Sequence, residues 1–123
     1  MSNLTNNSGQ TFKTTVYDKV DGVIVGVLDA SNFTEALYRI FAADCTTVLV
    51  EEKLSLGDIA VVSDTDPDYG VVNVFETTLL KADMLDTTVP AGQYTHQFKV
   101  TNSAGLALPP VFQTTVTVVE ACD

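Results

Sequence analysis

Period-two alternation of apolar and polar side chains runs through most of this chain, and it constrains the fold more than any motif does. Phe12, Thr14 and Val16 share a face opposite Lys13 and Thr15. Tyr94, His96, Phe98 and Val100 line a second face, and Phe112, Thr114, Val116 and Val118 a third. Alternation of this kind puts successive side chains on opposite sides of a sheet. Eighteen valines and seventeen threonines reinforce it, because a β-branched side chain fits a pleated surface. Helical periodicity is nearly absent; only "KADMLD" (81–86) breaks the alternation, as a single helical turn. "EALYRIF" (35–41) is largely apolar on both sides and reads as a central strand covered twice.

Turn chemistry separates the strands: "VDG" (20–22), the acidic "SDTDPDYG" (63–70), "PAGQY" (90–94), "NSAG" (102–105) and "LPP" (108–110). About seven or eight short strands at regular spacing predict an all-β, antiparallel β-sandwich. At 123 residues the chain is one domain, expected over 11–123, preceded by a polar, Asn-rich N-terminal arm over 1–10 that is either loose or ordered by a partner.

Composition removes several function classes. Six Lys/Arg against sixteen Asp/Glu give a net charge of −10, and the basic residues are scattered, so no stripe exists to neutralise phosphates and nucleic acid is not an expected partner. No apolar run approaches the length of a membrane span, and the first ten residues lack the pattern of a signal peptide, so a soluble protein made in the cytosol is expected. Cys45 and Cys122 lie outside any zinc-binding spacing, and whether they pair is open. Phosphate-cradling, nucleophile-elbow and metalloprotease motifs are all missing, and no cofactor is expected. The single histidine, His96, shares its face with Tyr94, Phe98 and Val100, which predicts a hydrogen-bonded core or interface imidazole rather than a general base. The expectation is a protein that is not an enzyme, with no catalytic residues.

The acidic stretch comes close to a calcium loop. Counting Asp64 as position 1 of an EF-hand, Asp66 and Asp68 fall at 3 and 5, but position 6 is Tyr69 and position 12 is Phe75; Gly70 and Glu76 each come one residue late. An EF-hand is excluded by register. Asp64, Asp66 and Asp68 stay as candidate ligands of a looser Ca²⁺ site, against the preferred reading of a solvated turn between strands.

The second half carries an ordered pattern: Asp66 and Gly70 in a turn, Val72 and Val74 in a valine-rich strand, and Leu80, Ala82 and Asp83 in a helical turn. Gly92 and Tyr94 then open a strand that runs to Val100, Thr101, Asn102 and Gly105. It resembles the immunoglobulin-like N-terminal domain of the baseplate upper protein family of tailed bacteriophages, and with weaker matches in the first half the likeness covers nearly the whole chain. The resemblance implies an Ig-like β-sandwich, with Gly70, Asp83, Gly92, Tyr94 and Gly105 as its fold-motif residues, acting as a docking module in a virion. The chain ends at Asp123, immediately after the domain, so a lone domain is expected, more like a capsid decoration (cement) protein that binds the major capsid protein, as a homo-oligomer. A tail or baseplate adaptor of the same fold, and a Ca²⁺-dependent or carbohydrate-binding surface module, are the alternatives.

Overall fold

The alternating stretches do become strands, and their inward faces meet in one core. A computed structural model describes residues 3–121, an all-β domain with ten strands in three sheets. In chain order they are β1 (Asn3–Thr5), β2 (Gln10–Thr14), β3 (Tyr17–Val20), β4 (Val23–Val27), β5 (Phe33–Phe41), β6 (Val48–Lys53), β7 (Ile59–Asp66), β8 (Gly70–Leu79), β9 (Gly92–Asn102) and β10 (Phe112–Val119). Two short 3₁₀ turns, Ala30–Asn32 and Lys81–Met84, precede β5 and follow β8.

The five-stranded sheet has the order β1-β10-β9-β5-β6, the three-stranded sheet the order β2-β8-β7, and β3 and β4 form a separate two-stranded ribbon. All pairings are antiparallel except that of β1 with β10. Register puts large side chains opposite one another: Tyr38 pairs with Phe98, and Phe98 with Phe112, across three adjacent strands. From the other sheet, Phe12 meets Tyr38 edge-on with ring centroids 4.9 Å apart, and Phe75 meets Phe98 at 5.5 Å. Each buried ring or aliphatic side chain contributes about 1.5–3 kcal/mol by leaving water, and offset or edge-on ring pairs add to that.

Four expectations are corrected. Ten strands are described rather than seven or eight, because the stretch expected as one strand over 12–16 ends at Thr14 and the chain turns into β3, and because β1 exists at all. The arm expected over 1–10 is packed over its described part: Leu4 is buried in the core and Asn6 donates through its backbone N–H to the Val119 carbonyl at 3.0 Å. Polar composition hid this, since one buried leucine and a line of backbone hydrogen bonds suffice to hold a short strand. β5 is central but covered on one face only; Ala36, Tyr38 and Ile40 are buried, whereas Leu37, Arg39 and Phe41 are half-exposed and Arg39 pairs with Glu51 at 2.8 Å. Finally, 63–70 is not one loop, since β7 runs on through Asp66 and only 67–69 turn.

Candidate functional site

The turn at 67–69 is built by Asp66. Its Oδ1 accepts the backbone N–H groups of Asp68 (2.8 Å) and Tyr69 (3.2 Å), and its Oδ2 accepts the Tyr17 hydroxyl (2.8 Å). Pro67 presets one backbone angle, and Gly70 closes the hairpin at φ 74°, a conformation that disfavours any side chain. The bonds from the Asp68 N–H and the Tyr17 hydroxyl hold the Asp66 carboxyl below its ordinary range. Asp64 sits two residues back along β7, 3.8 Å from Lys13 Nζ. Both Asp66 oxygens are thus committed to the fold, and among the described residues no three His, Cys, Asp or Glu side chains gather as a metal cluster.

The other motif residues hold turns and corners. Asp83 reaches back to the Leu80 N–H at 3.2 Å, fastening the 3₁₀ turn after β8. Gly92 opens β9, and two residues on the Tyr94 hydroxyl donates to the Pro90 carbonyl at 2.5 Å, pinning the strand to the loop before it. Gly105, at φ 81°, closes the 102–105 turn, where Asn102 Oδ1 accepts the N–H groups of Ala104 and Leu106 at 3.0 Å each. Cys45 is exposed; Cys122, and with it the question of pairing, lies outside the described residues.

A groove of about 690 Å³ lies between the two large sheets, where β2 and the start of β3 face β9 and β10. Phe12, Val16 and Phe112 form apolar walls, the Leu108–Val111 connection closes one side, and Lys13, Asp18 and Lys19 stand at the β2–β3 side. His96 belongs to this groove yet is buried. Its Nδ1 shares a 2.8 Å hydrogen bond with the Tyr38 hydroxyl, and its ring lies 4.7 Å from that of Phe112. Burial lowers its pKa to about 4, so the imidazole is neutral at pH 7. The groove therefore offers apolar surface and hydroxyls with a few charges at one side, a composition suited to holding apolar side chains or an extended peptide.

Sequence reading missed one buried acid. Glu52 follows Val50 on the inward face of β6 and is buried, opposite Tyr38 in register. Burial, and then the neighbouring Asp83 and Asp58, push its pKa up to about 8. The signal was present, since the alternation of "VLVEEK" puts Glu52 rather than Glu51 on the face of Val50. No family model, no curated protein and no solved structure matches the chain.

Proposed function

We propose that this is an immunoglobulin-like β-sandwich serving as a bacteriophage virion structural protein, a capsid decoration protein that clamps the head surface by binding the major capsid protein. The observation that carries the reading is the agreement between the motif and the positions it occupies. Gly70, Asp83, Gly92, Tyr94 and Gly105 each hold a turn or corner in the order the resemblance implies. Sheet order supports the finer fold. With the β3–β4 ribbon and β1 set aside, seven strands divide as β2-β8-β7 and β10-β9-β5-β6. A division of seven strands into facing sheets of three and four is also how an Ig-like sandwich is built, and it supports that reading. The Tyr94–Pro90 hydrogen bond matches the tyrosine corner of such domains, at the start of the penultimate strand.

The test is co-sedimentation of the purified protein with heads that lack tails. Saturable binding to the heads is the expected result. Binding only to tails or baseplates would move the protein to the adaptor role, and binding to neither would end the virion reading. Deleting residues 1–10 is not a clean probe of docking, because Leu4 and Asn6 belong to the fold.

A further inference from the structure

Two features of the fold are left without partners, and they complement each other. The first is an open strand edge. β10 has eight residues, and β1 covers only Thr117–Val119, so among the described residues Phe112–Val116 have no neighbour on the side away from β9. The Val119 carbonyl points to that side, since it accepts the Asn6 N–H. β10 stays in unbroken antiparallel register with β9 from Phe112 to Val118. Backbone groups in such a pair alternate in direction, so the N–H and C=O of Gln113 and Thr115 point out like those of Val119. β2 is likewise an edge strand, and the groove described above runs between these two edges.

The second feature is the β3–β4 ribbon. Its turn has Asp21 at φ 51° and Gly22 at φ 80°, the two positive angles of a tight hairpin, and Leu28 N–H to Val16 carbonyl (2.8 Å) closes its base. Val20, Val23, Ile24 and Val25 are all exposed, from 43% to 63%. Among the described residues β4 pairs only with β3, so its outer edge is open. An exposed apolar strand with a free edge is a template for pairing, and soluble proteins normally blunt or cover such an edge.

We propose that β4 of one copy of this chain adds as an extra strand to the open edge of β10 in a second copy, and that the second copy returns its own β4 in the same way. Three observations favour a second copy as the occupant. The lengths match: β4 has five residues, and the uncovered part of β10 has five. Donor and acceptor also adjoin, because Tyr17, Asp18 and Lys19 of β3 border the groove, so a two-fold axis beside them brings each ribbon to the other copy's groove and closes the assembly as a dimer. Charge permits the approach as well. In a chain of net charge −10, this surface still carries Lys13 and Lys19 among Asp18, Asp21 and Asp64, so each copy brings cations to meet the other's carboxylates. Main-chain bonds to Gln113 and Thr115 supply the pairing, and Val23 and Val25, on one face of β4, enter the groove beside Phe12 and Phe112.

The inference goes beyond a role on a capsid and is tested without one. Sedimentation velocity on the purified chain over a wide concentration range is expected to show a monomer–dimer equilibrium, with the Thr115 amide exchanging more slowly as the dimer fills. Val25→Lys removes the donor's apolar contact at an exposed site. Thr115→Pro removes an N–H that faces away from β9, a place where an edge strand tolerates proline. Each variant is expected to weaken association at least about tenfold, roughly 1.4 kcal/mol or more, while its circular dichroism stays that of the native fold. A chain that remains monomeric at every concentration, or a dimer that survives both substitutions, overturns the proposal. A monomer whose Thr115 amide is protected only by an added valine-rich peptide would assign the edge to a foreign strand, and that too overturns it.

Discussion

His96 and Glu52 are both buried, both titratable and both held uncharged near neutral pH, yet they reach that state from opposite directions. Tyr38 stands between them, hydrogen-bonded to His96 Nδ1 and opposite Glu52 in register. Around His96 the neighbours are rings, and a neutral imidazole suits them with one hydrogen bond to Tyr38. Around Glu52 the neighbours include Asp83 and Asp58, and the carboxyl stays neutral by keeping its proton. Burial disfavours charge in both cases; what differs is whether neutrality means losing a proton or holding one. The interior therefore has a preferred pH as well as a preferred shape.

The comparison is broken most severely by removing the residue that joins the two sites. Tyr38→Ala is expected to destabilise the domain by about 3–5 kcal/mol, the range for deleting a buried ring. Chemical denaturation measures it, and a loss below that range would mean the ring is replaced by collapse of Phe12 and Phe112. Tyr38→Phe keeps the ring but strips Nδ1 of its partner, and should cost about 1–3 kcal/mol. A neutral effect would show that another group or a water serves Nδ1 equally well.

Smaller, and sharper, are the effects of pH. Glu52 has its folded pKa raised from 4.5 to about 8, so its contribution is complete below pH 4.5 and is lost as pH rises toward 8. His96 has its folded pKa lowered from 6.5 to about 4, so its contribution is complete above pH 6.5 and is lost as pH falls toward 4. Between 4.5 and 6.5 the two slopes have opposite sign and cancel, and stability should be flat there, declining on both sides. Thermal melts across that range read it directly. Glu52→Gln keeps the uncharged form at every pH. It should raise Tm at pH 8, leave it unchanged at pH 5, and abolish the alkaline decline; a variant less stable than the parent at pH 8 would mean the ionised carboxylate has a favourable partner.

How much of this was legible beforehand depends on what each residue's position requires. The strands β5, β9 and β10 could be read because their inward residues, His96 apart, are largely apolar, and the turns because Asp-Gly and Asn-to-Gly segments have few other uses. Glu52 was legible in principle, since period two assigns it to the face of Val50, but a carboxylate is ordinarily a surface residue and its charge points the other way. Leu4 was not legible, because a three-residue strand in a polar stretch has no periodicity to detect. The groove was beyond sequence altogether. Phe12, His96 and Phe112 read correctly as inward-facing, and only the order of the sheets reveals that an open edge runs beside them.

The pairing of β1 with β10 has a consequence for how the chain is made. Asn3–Thr5 are made well before Thr117–Val119, so β1 waits for its parallel partner while all the strands between them are made. The buried Leu4 is exposed for the same interval. Contacts this distant in sequence are slow to form because the intervening chain must be ordered before they give any return. β1 therefore cannot take its place in the sheet until β10 is made, and the strand later in sequence positions the earlier one.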